Sequence, residues 1–107
     1  MSTTIAITLG KSYWEKGFFN IKKKHSDLFS THDEYINIEL GHHSNTIIKG
    51  RIERTSNPIG TPRIHGNEPL RTWIQKNYHL NDILKIDVIS STTIILWNTH
   101  LSIPPVR

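Results

Sequence analysis

A mainly β fold with two short helices is the architecture this sequence predicts. β-Branched and other apolar residues gather in five short runs, 3–9, 35–40, 46–53, 83–89 and 92–97. Within them the pattern has period two: Tyr35, Asn37 and Glu39 alternate with Ile36, Ile38 and Leu40, while Lys85 and Asp87 alternate with Leu84, Ile86 and Val88. The intervening Asp33-Glu34, Gly41-His42-His43-Ser44-Asn45 and Ser90-Ser91 are turn formers.

Two segments carry a helical period instead. In Ile21–Phe29 the residues Ile21, His25, Leu28 and Phe29 fall on one side and the lysines Lys22, Lys23 and Lys24 on the other. Pro69–Tyr78 starts with proline in its first turn and spaces Leu70, Trp73 and Ile74 at i, i+3 and i+4, with Asn67 as the expected cap. Trp73 and Trp97 are expected in the core, and Tyr78 is expected to pack at the end of the second helix. Two stretches have no regular period: Lys11–Gly17, and Arg54–Gly66 with its two prolines and two glycines. Long polar loops inside a small domain are commonly functional.

The totals bound the function. At 107 residues the chain fits one domain, expected over 1–100 with a tail or linker over 101–107. No cysteine is present, which removes disulfides and thiolate metal sites and makes an intracellular setting the expectation. No apolar run approaches the ~20 residues of a membrane helix, and the N-terminus has no signal pattern. The net charge of +4 favours a polyanionic partner without naming it.

Read in order, Gly17–Phe29, Leu70–Asn77 and Leu80–Ile86 resemble the B3-type DNA-binding domain, the pseudobarrel of plant transcription factors and of the DNA-reading domains of EcoRII-like and BfiI-like restriction endonucleases. The first stretch is similar to the family's strand and lysine-rich helix, although Lys22 stands where plant members often carry proline. The second is similar to its second helix, and the third to its leucine and glycine-aspartate turn. Asn81 replaces that glycine and tolerates positive φ. The resemblance implies a seven-stranded open β-barrel that grips the DNA major groove with two arms. By position these are Lys11 to Asn20 and about Arg54 to Gly66.

The arms hold the residue types that read base edges, Arg or Lys for guanine, Asn or Gln for adenine, acids for cytosine. The first offers Lys11, Ser12, Tyr13, Trp14, Glu15, Lys16 and Asn20; the second offers Arg54, Thr55, Ser56, Asn57, Thr61, Arg63 and His65. Arg63, Asn57, Lys16 and Glu15 are the expected base readers. Lys11, Lys23 and Arg71 are expected at phosphates, where contacts position without specifying.

Rival functions fare worse. No Asp or Glu is followed two positions on by Lys, as a metal-dependent nuclease would need, and no His is either. Phosphate-loop, Gly-x-Ser-x-Gly and His-Glu-x-x-His motifs are missing. His42 and His43 with His65 or His32 are the candidate metal ligands, but adjacent histidines in a turn seldom chelate together, so no metal and no cofactor is expected. The chain is expected to be a non-catalytic reader of double-stranded DNA, the recognition or effector domain of a restriction endonuclease. A nuclease or motor domain would lie in the same protein or complex. The alternatives are a transcription-factor domain of the same family and an OB-like barrel that binds single strands or proteins.

Overall fold

In the computed structural model residues 3–31 and 33–98 are described; the tail expected over 101–107, and His32, lie outside them. Every apolar run predicted as a strand forms one: β1 (Thr3–Thr8), β3 (Tyr35–Leu40), β4 (Ile47–Glu53), β6 (Ile83–Ser90) and β7 (Thr93–Leu96). Two further strands, β2 (Phe18–Asn20) and β5 (Arg63–His65), span only 3 residues each. The seven strands form one sheet in the order β1-β6-β7-β3-β4-β5-β2, a nearly closed barrel. β3 and β7 run parallel and the other neighbours antiparallel. β1 and β2 are the edges that do not meet. A groove lined by Ile7, Thr8, Tyr13, Asn20 and Ile21 marks the opening.

The alternation in the sequence becomes the wall of the barrel. Ile36, Ile38 and Leu40 are buried while Tyr35 and Asn37 stay exposed. Ile52, Ile64, Leu84, Ile86 and Ile94 are fully enclosed beside them. Each such side chain contributes roughly 1.5–3 kcal/mol on leaving water. Phe19, Leu70 and Ile74 close one end of this core, and Tyr78 completes it. Burial pushes the Tyr78 hydroxyl up to about 12, with Asp82 adding to the shift. That hydroxyl donates to the Trp97 carbonyl.

The helices depart from expectation in three ways. Lys11–Lys16, which carried no period, is a helix, α1; at 6 residues it is too short to show an apolar stripe. The lysine-rich segment is a 3₁₀ helix, Lys23–Leu28, flanked by buried Ile21 and Phe29. The helix expected from Pro69 is α2 (Asn67–Asn77), and its cap is Gly66 rather than Asn67, which sits at φ 58 and makes no capping bond. The turn at Leu80-Asn81-Asp82 behaves as expected. Asn81 adopts φ 71, its N–H reaches the Leu9 carbonyl at 2.8 Å, and the Asp82 carboxylate accepts the His79 N–H at 2.7 Å.

Two glycines let the helices meet. Gly17 ends α1 at φ 75, and a Cβ there would lie 2.5 Å from the Asn67 carbonyl oxygen. A Cβ on Gly66 would lie 2.3 Å from that of Leu70, and the Gly66 N–H donates to the Gly17 carbonyl at 3.1 Å. Gly17→Ala is therefore expected to lower stability by about 1–3 kcal/mol, from left-handed backbone strain with the clash added. Urea unfolding measures this, and a midpoint equal to wild type would remove the constraint.

Candidate nucleic-acid interface

Strand pairing lays the expected residues on one outer face. Phe18 pairs with His65 and His65 with Arg51; Asn20 pairs with Arg63 and Arg63 with Glu53. Because successive side chains alternate, Phe19, Ile64 and Ile52 enter the core and these six residues share the opposite face, where Glu53 is nonetheless buried. Asn20 Oδ1 accepts the Arg63 Nε–H at 2.9 Å and the Asn57 amide at 3.2 Å. The Arg63 guanidinium lies over the Phe18 ring, 4.5 Å from its centroid. Phe18 also meets Tyr13 at 5.6 Å and His65 at 5.8 Å. Stacking and the Asn20 bond fix the plane of the guanidinium, while its two terminal amino groups have no hydrogen-bond partner among the described residues.

The loop over 54–62 is irregular, and hydrogen bonds fasten it at Arg54, Thr55, Ser56, Asn57, Gly60 and Thr61. Arg54 lies half-buried and donates to the carbonyls of Ser26, Phe29, Ser30 and Gly60 and to the Ser26 hydroxyl, at 2.8–3.1 Å. The Phe29 and Ser30 carbonyls lie just past the end of the 3₁₀ helix, and one arginine joins them to the helix and to Gly60 of the loop. Arg54, expected as a contact residue, spends its guanidinium on the loop itself. Thr55 and Ser56 do likewise: both hydroxyls and both backbone N–H groups point to the Glu53 carboxylate, the Thr55 contacts measuring 2.6 and 2.8 Å. Asn57 donates to the Thr61 carbonyl at 3.0 Å and accepts the Gly60 N–H at 2.9 Å. Thr61 is buried.

Glu53 is the buried charge on which this loop depends. Hydrogen bonds from Ser56 and Thr55 hold its carboxyl well below the usual range, overriding the upward push of burial, and His65 Nε2 at 3.3 Å adds to the lowering. Glu53, Phe18 and Ile59 were not among the expected contact residues. An acid followed by Thr and Ser at two and three residues is a local hydroxyl-and-amide turn, and that was the available signal for Glu53.

The first expected arm is a helix docked on the body. Trp14 Nε1 donates to the Tyr78 carbonyl at 3.3 Å, the Trp14 carbonyl accepts from Gln75 at 2.9 Å, and the ring packs against the core. Trp14 is therefore inward, whereas Lys11, Ser12, Glu15 and Lys16 are exposed around it. Tyr13 joins this helix to the Phe18 cluster. Lys23 is exposed on the 3₁₀ helix, and Arg71 is half-buried with a 3.3 Å contact to Glu68.

Away from this face, His42 Nε2 lies 2.9 Å from Asp87 Oδ2, and Thr4 donates to Asp87 at 2.6 Å. Burial raises the Asp87 carboxyl, but these bonds outweigh it and hold it low. The pair fastens the β3–β4 turn to β6 and β1. His42, His43 and His65, offered as ligands, do not come together: among the described residues no group of three or more His, Asp or Glu is placed to hold a metal. No helix of those residues is long and apolar enough to cross a membrane.

No protein-family model matches the chain. No curated protein matches it either. Among solved structures it is similar to the N-terminal domain of Helicobacter pylori LlaJI.R1, a restriction-modification protein. The TM-score is 0.67 at 19% identity, covering 91% of this chain and 79% of that one. At this identity the likeness establishes a shared fold.

Glu53→Gln is expected to cost about 1–3 kcal/mol at neutral pH, because it removes the charge the loop donors converge on. A depressed folded-state pKa stabilises fully above the unfolded value, ordinarily 4.5, and that contribution is lost as pH falls below it. Wild-type stability should therefore fall more steeply between about pH 5 and pH 2 than that of the variant, as read by denaturant unfolding. Parallel curves would contradict the role assigned to Glu53.

Proposed function

We propose that the chain is a sequence-specific double-stranded DNA-binding domain of the B3 type, the recognition domain of a restriction system. It presents the outer face of β2 and β5, flanked by α1 and the 54–62 loop, to the major groove. That groove is about 12 Å wide and admits a helix or a two-stranded ribbon.

The observation that carries the reading is Arg63. Its guanidinium is stacked on Phe18 and fixed at Nε by Asn20, which leaves the terminal fork for a partner. Such a fork matches the O6 and N7 acceptors of guanine. Preorganisation matters because an arginine immobilised before binding loses less side-chain entropy on contact. Glu15 and Lys16, exposed at the end of α1, read further base edges. Lys11, Lys23 and Arg71 rest on phosphates. Asn57 positions Asn20 and the loop rather than reading a base through its amide NH₂, which is already committed. The likeness in fold to a restriction-modification domain supports the setting, and the +4 charge suits a polyanion.

The domain performs no chemistry in this reading, and cutting belongs to a nuclease or motor domain elsewhere in the protein or complex. A single-strand-binding barrel would need open aromatic faces for base stacking. Phe18 is instead covered by Arg63 and His65.

Two substitutions separate reading from holding. Arg63→Ala is expected to cost about 1–3 kcal/mol for the preferred duplex and to relax preference at one position. Lys23→Ala should weaken all duplexes alike and reduce the slope of log K against log salt by about one. Fluorescence anisotropy with duplexes selected from a random pool measures both. Unchanged site preference in the Arg63 variant would overturn the assignment.

A further inference from the structure

The 54–62 loop has a composition that its geometry inverts. Thr55, Ser56 and Asn57 are the polar side chains that suggest base reading, yet each turns a donor inward. The two hydroxyls go to Glu53, and the amide goes to Asn20 and the Thr61 carbonyl. Thr55 and Ser56 remain exposed although their hydroxyls are committed to Glu53, and beyond them the apex exposes the apolar Pro58 and Ile59. Ile59 is 66% exposed, more than any other large apolar side chain among the described residues. It sits between Asn57 and Gly60 in a turn closed by the Gly60 N–H on the Asn57 carbonyl at 2.9 Å, with Gly60 at φ 77. The base of the loop is fastened by Arg54 on one side and Glu53 on the other.

An apolar side chain held rigidly at the tip of a loop can read one feature of a duplex, the C5 methyl group on a pyrimidine in the major groove. The other groups read there are hydrogen-bond donors and acceptors, and an unmethylated cytosine presents only a small C5–H at that place. Because the loop is immobilised in the free protein, little conformational entropy remains to be lost when Ile59 makes that contact. A flexible loop would lose much of the gain to ordering.

We propose that Ile59 is a specificity-determining residue that recognises a pyrimidine C5 methyl at one position of the bound site. This rests on the duplex-binding reading above. Both thymine and 5-methylcytosine carry the methyl, so the ligand chemistry is shared. The difference between them is whether the position is read in all DNA or only in methylated DNA.

The test starts from a duplex enriched by the wild-type domain from a random-sequence pool. Each thymine in turn is replaced by deoxyuridine, and each cytosine by 5-methylcytosine. Affinity is then measured for wild type and for Ile59→Ala, whose exposed position leaves the circular dichroism spectrum unchanged. At one position wild type should bind the methyl-bearing duplex about fourfold more tightly, the worth of one buried methyl-sized group, and the variant should bind both alike. A loss at a deoxyuridine identifies thymine, and a gain at a modified cytosine identifies 5-methylcytosine. Equal responses of wild type and variant at every position would overturn the role of Ile59 while leaving duplex binding standing. Failure to enrich any duplex would overturn both.

Discussion

Six residues hold the proposed interface together. Phe18–Asn20 pairs with Arg63–His65, and β5 in turn pairs with the end of β4. The central Phe19 and Ile64 of these short strands are fully buried, so the ladder is anchored in the core although it is only three residues long. Everything near the proposed interface hangs from it. α1 leads directly into β2 through Gly17, α2 follows β5 through Gly66, and the 54–62 loop spans β4 and β5. The outward residues of the ladder are then held by one another, with Asn20 Oδ1 receiving both Arg63 and Asn57.

A second constraint acts on the loop. Consecutive side chains at the end of β4 point to opposite faces, and Arg54 and Glu53 use this to work in opposite directions: one satisfies acceptors, the other donors. Arg54 collects the carbonyls of Ser26, Phe29 and Ser30 at the end of the 3₁₀ helix. Glu53 collects the N–H and hydroxyl groups of the next two residues. A buried carboxylate is tolerated only when so many donors converge on it. The result is an irregular segment with little freedom left, which is what a reading loop requires if binding is not to lose its gain to ordering. On the far side of the barrel, His42, Asp87 and Thr4 make an equivalent fastening between strands that takes no part in the face.

How much of this the sequence discloses depends on length and locality. The long strands were legible because six or more alternating residues leave an unmistakable period, as Ile36, Ile38 and Leu40 do. β2 and β5 were not legible from period, since three residues such as Arg63-Ile64-His65 contain a single inward position, and β2 was expected only through the family resemblance of Gly17–Phe29. α1 failed for the same reason, and its Trp14, read as a DNA contact, is held by Tyr78 from the far end of α2. The turn at Asn81 was legible because positive φ is a property of the residue itself. Asn67 shows the limit of that rule: it takes positive φ but leaves the capping to Gly66. Of the site, Asn20, Asn57, Arg63 and His65 were found by type and do come together. The inward commitment of Arg54, Thr55 and Ser56 was not readable, because their partners are set by tertiary packing, or in Glu53 by a charge whose burial the pattern does not show. Phe18 was given no role of its own, and its place as the platform for Arg63 needs the β2–β5 register.

The central claim is that one face, built on β2 and β5, meets duplex DNA. Amide chemical-shift mapping of the labelled chain with a duplex selected from a random pool tests it most directly. The account predicts perturbations concentrated at Phe18–Asn20, Ile59 and Arg63–His65 and on the exposed side of α1, with His42, Asp87 and the β6–β7 strands unmoved. Perturbations centred on His42 and Asp87, or spread evenly over the basic surface with no preference between duplexes, would contradict it.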